Sequence, residues 1–212
     1  MTRCASTTSP YNSNANHNTM PNQVHPSDIN KALDTLRAGG LILYPTDTIW
    51  GIGCDATIPE AVDRVYQLKG RDKGKSLIVL LDHENRLPSY VQEVPEVAYQ
   101  LIEYAERPLT IVYSGAKNLA GNLLAEDGSI GIRIVQQHPF CTPLLQRFRK
   151  PIVSTSANLS GQAAPSNFER IPQEIRDGVD YIVAYGQDDP REGMASIVMK
   201  LEPGGKFSFI RK

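Results

Sequence analysis

Apolar residues recur along this chain in two periods. Over residues 28–38, DINKALDTLRA, a 3.6-residue spacing puts Ile29, Ala32, Leu33 and Leu36 on one helix face, with Ser27 placed to cap it. Gly39 and Gly40 predict its end. LILY (41–44) is a short apolar run closed by Pro45, and IWGIGCDA (49–56) reads half as strand, half as turn. PEAVDRVYQLKG (59–70) predicts a helix with proline in its first turn. PEVAYQLIEYAE (95–106) repeats that form, with Val97, Ala98, Leu101, Ile102 and Ala105 facing inward. SLIVLL (76–81), LTIVY (109–113), SIGIRIV (129–135), PIVST (151–155), DYIVAY (180–185), SIVMKL (196–201) and FSFIR (207–211) predict strands. PFCTPLLQRFRK (139–150) predicts a short helix, and NFERIPQEIRDG (167–178) mixes loop and helix. About eight strands interleave with four or five helices, which predicts a single α/β domain with a twisted mixed sheet and flanking helices.

Composition shifts once. Residues 1–25 are rich in Asn, Ser and Thr and poor in aliphatics, so they are expected to form a mobile tail ahead of one domain over 26–212. That tail lacks the apolar core of a signal peptide. The 212 residues are 41% hydrophobic and 21% charged, which allows a real core. Net charge is −1, so any nucleic-acid or phosphate contact must come from a local patch. No apolar run reaches the roughly 20 residues of a membrane span. Cys4, Cys54 and Cys141 are widely spaced and odd in number, and the four histidines show no ligand spacing. A disulfide framework and a protein metal site are not expected, and a reducing cytoplasm is the expected location.

Four stretches carry candidate chemistry. KGRDKGKS (69–76) holds Lys69, Arg71, Lys73 and Lys75 with only Asp72 opposing. It is not a Walker A loop: its glycines enclose three residues, and a helix precedes it where that loop needs a strand. It reads either as a solvated helix end or as a side-chain clamp for phosphate. YPTDTIWGIG (44–53) sets small hydroxyls beside glycines and allows a ligand close to the backbone; the alternative is a turn capped by Asp47. Arg133 lies in mid-strand, where an unpaired buried cation is costly, so it either points to solvent on an open face or grips an anion, for which Gly131 leaves room beside it. STSANLSG (154–161) follows a strand with hydroxyls and backbone donors suited to anion or ribose oxygens, or else to an ordinary Ser/Thr-rich turn. GMASIV (193–198) repeats the pattern at Ser196. The inventory is cations, hydroxyls and glycines, which suits catalysis by positioning and charge neutralisation.

In chain order, YPTDTIWGIG, Lys69-Gly70-Arg71, PLT (108–110), GIR (131–133), STSAN (154–158) and SIV (196–198) resemble the YrdC-like family in its short, single-domain form. The resemblance implies a concave, positively lined cavity. It implies formation of threonylcarbamoyl-adenylate and pyrophosphate from L-threonine, bicarbonate or CO2, and ATP, with Mg2+ on the phosphates. It further implies transfer proteins that pass the threonylcarbamoyl group to tRNA, and members of the family are credited with binding double-stranded RNA. Lys69 and Arg71 take the catalytic places on the ATP phosphates. Lys75, Thr110, Ser154, Ser156, Asn158 and Ser196 take nucleotide contacts, and Thr46, Arg133 and Ser154 take the threonine. This chain departs from the family at Asp72, Leu80, Glu106-Arg107 and Val135. A non-catalytic RNA-binding or ribosome-associated protein of the same fold is the alternative, and a hydrogenase-maturation carbamoyl-transfer domain a third.

Overall fold

The computed structural model describes residues 23–73 and 77–212. The expected tail up to residue 22, and Lys75, lie outside the described residues. Helix α1 (Pro26–Arg37) starts earlier than Ser27 predicted. Proline at its first position has its φ set for a helix and no N–H to satisfy, so His25 becomes the cap. The His25 Nδ1 accepts from the Ser27 N–H at 3.2 Å. Then follow β1 (Ile42–Tyr44), β2 (Gly51–Gly53), α2 (Pro59–Lys69), β3 (Ile78–Leu81), the short α3 (Leu87–Tyr90) and α4 (Glu96–Glu103). The predicted helix over 95–106 is shorter than its pattern, and Ala105 is exposed rather than inward. Next come β4 (Leu109–Tyr113), β5 (Ile130–Ile134), α5 (Cys141–Phe148), β6 (Ile152–Ser156), the short α6 (Gln173–Asp177), β7 (Tyr181–Ile182), β8 (Ile197–Leu201) and β9 (Phe207–Arg211).

Among the described residues nine strands form one mixed sheet in the order β7-β1-β2-β6-β3-β5-β4-β8-β9. The pairs β1/β7, β3/β5 and β4/β8 are parallel and the others antiparallel. Of DYIVAY, only Tyr181 and Ile182 form a strand. The chain leaves the sheet after Ile182 because α1 claims its donors: the buried Asp28 carboxylate accepts from the N–H groups of Ala184 and Tyr185 at 3.0 and 2.9 Å, and from the Tyr181 hydroxyl at 2.5 Å.

The two-residue strand period divides the sheet. Val79, Ile111, Ile132, Val153 and Met199 point into one core, which α2 and α4 help to cover. On the opposite face, Ile42, Tyr44, Leu80 and Ile152 pack with α1 and α5. Those helices cover only part of that face. Farther along it, Ser154, Arg133, Thr110 and Ser196 stand where bulky apolar side chains would otherwise be. Among the described residues no helix is long and apolar enough to cross a membrane.

Candidate active site

A cavity of about 190 Å³ opens over this uncovered part of the sheet. Its lining includes Arg71, Arg133, Arg211, Ser154, Ser156 and Ser196. A second cavity of about 710 Å³ lies beyond the loop 46–50, lined in part by Thr46, Asp47, His138 and Tyr185. Thr48, Ile49 and Trp50 line both, so this loop is the partition between them. Its turn is built by Thr46 rather than by Asp47: the Thr46 hydroxyl donates to the Ile49 carbonyl at 2.7 Å and accepts from the Thr48 N–H at 3.1 Å. Gly193 fixes the partition from outside, since a Cβ there would meet the Thr48 carbonyl at 2.1 Å.

The cation cluster after α2 splits by direction. Gly70 adopts the left-handed conformation, φ 55°, and the Gly70 and Arg71 N–H groups close the helix onto the Gln67 and Tyr66 carbonyls. This turn sends the neighbours apart. Lys69 is 2% exposed, and its ammonium donates to the Ser156 and Asn158 carbonyls, the latter at 2.6 Å. It grips the loop behind the cavity and is not among the residues lining it. Burial, and then Arg71, lower its pKa to about 8. Arg71 does line the cavity, while Lys73 pairs with Asp63 at 2.8 Å.

Arg133 is 3% exposed on β5, opposite Thr110 on β4 and Leu80 on β3. It neither reaches solvent nor lacks a counter-charge: Asp47 lies 3.1 Å from its Nη2. Gly131 makes room for this strand, as a Cβ there would come within 2.9 Å of the Ile78 side chain. Ser154 and Ser156, at alternate positions of β6, face the cavity. Gly51 keeps that space open, since a Cβ would sit 3.3 Å from the Ser154 hydroxyl. Asn158 works within its own loop, donating from Nδ2 to the Leu159 and Gln162 carbonyls at 2.9 and 2.8 Å. Thr110 is fully buried and reaches the cavity through Ser196, whose hydroxyl is 2.8 Å away.

Arg211 is the residue that pattern reading missed. Its Nε donates to the Ser196 carbonyl at 3.0 Å and its Nη2 to the Ser196 hydroxyl at 3.3 Å. Phe207, Phe209 and Arg211 alternate, so regular pairing would put all three on one face. The register breaks between Val198 and Met199: Met199 pairs with Phe209, but Val198 pairs with Arg211. Ile210 is the extra residue of this bulge, which re-aims Arg211 into the cavity. Burial, followed by the nearby charge of Arg133, lowers the Arg211 pKa. No sequence signal marks the bulge.

The two described cysteines are structural. Cys54 and Cys141 are buried, burial pushes both thiols up, and the Cys141 Sγ donates to the Pro45 carbonyl at 3.1 Å. His138 accepts at Nδ1 from the Phe140 and Cys141 N–H groups at 3.2 and 3.0 Å, and burial leads in lowering its pKa.

Residues 34–212 match the Sua5/YciO/YrdC family, described as "Telomere recombination". The chain belongs to the Sua5/YciO/YrdC family. Its similarity to family members is extensive. The human protein named threonylcarbamoyl-AMP synthase is 35% identical over 185 residues, covering 85% of this chain and 65% of that protein. The Pseudoalteromonas translucida protein of the same name is 34% identical over 170 residues, covering 79% of this chain and 88% of that one. Among solved structures, Escherichia coli YciO superposes with a TM-score of 0.78 at 25% identity, covering 91% of this chain and 92% of that one. Pyrococcus abyssi Sua5 complexed with L-threonine gives 0.73 at 25% identity, covering 82% of this chain and 50% of that one. The family fold is thus present here, while this chain spans about two thirds of the human relative and half of the archaeal one.

Proposed function

We propose that the chain is a threonylcarbamoyl-AMP synthase, joining L-threonine, bicarbonate or CO2 and ATP to give threonylcarbamoyl-adenylate and pyrophosphate. The observation that carries this reading is the meeting of Arg71, Arg133 and Arg211 with the hydroxyls of Ser154, Ser156 and Ser196 in one cavity. Three guanidinium groups drawn to one space favour an anion there, and the planar fork of each suits phosphate or carboxylate oxygens. At about 190 Å³ this cavity is smaller than typical pockets of about 300–1,000 Å³ for whole ligands, so it suits the phosphate end of the nucleotide. Arg71 and Arg211 hold phosphates and offset the charge that develops on the leaving pyrophosphate. Lys69, through the loop it grips, sets the positions of Ser156 and Asn158. Thr110 holds Ser196. Arg133 takes the threonine carboxylate, with Thr46 at the edge of the amino-acid subsite.

The chemistry needs little from protein acids or bases. The threonine amine and CO2 give a carbamate, whose oxygen attacks the α-phosphate of ATP as pyrophosphate leaves. The carbamate hydrolyses readily, so holding both partners together under the 46–50 partition is the protein's main contribution. Among the described residues no three His, Cys, Asp or Glu side chains gather as metal ligands. Magnesium fits this site as a companion of the ATP phosphates, where the chain offers hydroxyls and, at the margin, Asp47. Transfer proteins that hand the threonylcarbamoyl group to tRNA, contact with tRNA or double-stranded RNA, and a cytoplasmic location belong to the same proposal.

The test is pyrophosphate release by the purified chain with Mg2+. Release should require threonine, bicarbonate and ATP together and fall to background when any one is left out. No release from the complete mixture, under conditions where a known synthase turns over, overturns the reading.

A further inference from the structure

Five large apolar side chains are exposed among the described residues: Tyr104, Met194, Phe207, Phe209 and Ile210. They are not scattered. Tyr104 at the end of α4 and Phe209 on β9 both line an open cavity of about 470 Å³, whose other apolar lining includes Val97, Leu101, Leu109 and Ile197. The Phe207 ring packs edge-on to the Phe209 ring with centroids 5.9 Å apart, and Ile210 follows at the bulge. Met194 Sδ accepts from Arg107 Nη2 at 3.0 Å, and Arg107 lines the same cavity. Single exposed apolar residues are ordinary, but a group of them around one groove marks a surface that another molecule covers. β9 is also the last strand of the sheet, and an uncovered apolar edge strand is a liability in a free monomer.

The charges at the rim say what covers it. Glu106 and Arg107 are neighbours; both line the cavity and both are exposed. Neither is in an ion pair with any described residue, and Arg107 spends a donor on a thioether, a weak acceptor. Lys212, just after β9, lies over the Phe209 ring, 5.0 Å from its centroid. An anionic membrane or a nucleic acid is met by cations alone. This rim carries both signs side by side. Such a rim fits a copy of itself turned by 180°, because a two-fold contact sets each residue i against j and each j against i.

We infer that this face is the interface of a two-fold dimer of the chain, in which the Tyr104 ring of each protomer enters the apolar cavity of its partner and Glu106 of each pairs with the partner's Arg107. Tyr104 is the most exposed of the five, at 76%, so it is the side chain free to reach across. Tyrosine and arginine are among the residues that carry most of the energy of such contacts. The face also adjoins the larger cavity, which Arg107 and Met194 line as well, so the partner borders that cavity's mouth. The inference does not depend on the synthase reading.

The test is sedimentation velocity on the full chain over a range of concentrations. The wild type should pass from monomer to dimer with a Kd at or below about 50 µM. Tyr104→Ala, Arg107→Glu and Glu106→Arg should each weaken dimerisation about tenfold or more. Arg107→Glu puts two acids on each rim and Glu106→Arg two bases, so each variant repels its own copy. An equimolar mixture of those two variants should dimerise within about threefold of the wild type, since every rim acid then faces a base. A wild type that stays monomeric to about 200 µM overturns the inference without any variant. A dimer that Tyr104→Ala leaves unchanged places the contact elsewhere and overturns it too. So does a mixture that fails to dimerise when circular dichroism shows both charge variants folded. If either charge variant does not fold, the wild-type and Tyr104→Ala measurements decide. A monomeric wild type that binds anionic vesicles or duplex RNA through Tyr104 assigns the patch to that partner and overturns the dimer.

Discussion

The Asn158 carbonyl lies 2.6 Å from the Lys69 ammonium, and Ser160 N–H returns to the Lys69 carbonyl at 2.8 Å. The end of α2 and the STSAN loop are therefore stitched from both sides. Lys69→Met keeps the bulk but strips two carbonyls of a charged donor. It should destabilise the fold by about 2–4 kcal/mol and lower pyrophosphate release at least tenfold, read by urea unfolding and turnover.

The same lysine has a pH signature. Its pKa falls from 10.5 to about 8 on folding, through burial first and Arg71 second. Between these values the unfolded chain binds more protons, so this group's contribution to stability is least favourable below about 8 and improves as pH rises toward 10.5. The urea midpoint of the wild type should climb relative to Lys69→Met across that window. A constant difference would mean that the ammonium is not strained by burial.

Deleting Ile210 removes the bulge residue but places the arginine directly after Phe209, still opposite Val198 and on the cavity side by ordinary alternation. The deletion should therefore keep ATP affinity near that of the wild type, whereas Arg211→Ala should weaken ATP about tenfold by titration, with little change in thermal midpoint. Loss of ATP affinity in the deletion equal to that of Arg211→Ala would show that pairing with Val198 does not aim the arginine.

Gly131→Ala adds a Cβ 2.9 Å from the Ile78 Cγ2 and 3.3 Å from the Thr110 Cγ2. Both neighbours are on paired strands and have little room to yield. The substitution should cost about 1–3 kcal/mol and, by shifting β5, raise the threonine KM more than the ATP KM. Steady-state kinetics with each substrate varied separately checks the split.

Asp28→Ala leaves the Tyr181 hydroxyl and the Ala184 and Tyr185 N–H groups without their acceptor. Unfolding stability should drop by about 3 kcal/mol, and Asp28→Asn, which keeps one oxygen, should drop less. Tyr185 lines the larger cavity, so amino-acid binding should weaken along with stability in Asp28→Ala.

Much of this fold was legible because its strands are short, nearly continuous apolar runs bounded by turn residues. LTIVY, SIGIRIV and PIVST each read as strands and each became one. Arg133 stood out because the rest of 130–135 is apolar or glycine, but its burial and its partner Asp47 were not legible, since the two are brought together only by the fold. Lys69 and Arg71 looked alike in sequence. The left-handed turn at Gly70 separates them, and a glycine in sequence does not announce its φ. Arg211 was hidden for the opposite reason: FSFIR alternates too well, and a single extra residue overrides the pattern. His25 displaced Ser27 as cap because proline starts the helix where hydroxyl preference alone would not.

The alternation of the strands has a consequence for how this protein tolerates change. Val153 belongs to the core and Ser154 to the cavity; the same is true of Ile132 and Arg133, and of Ile111 and Thr110. Substitutions walked one residue at a time along β4, β5 and β6 should swing between two phenotypes, lost folding at one step and lost turnover with intact folding at the next. Adjacent codons thus answer to different selective pressures. The chemistry of this sheet can be retuned for another acid or another nucleotide without a redesign of what holds it together.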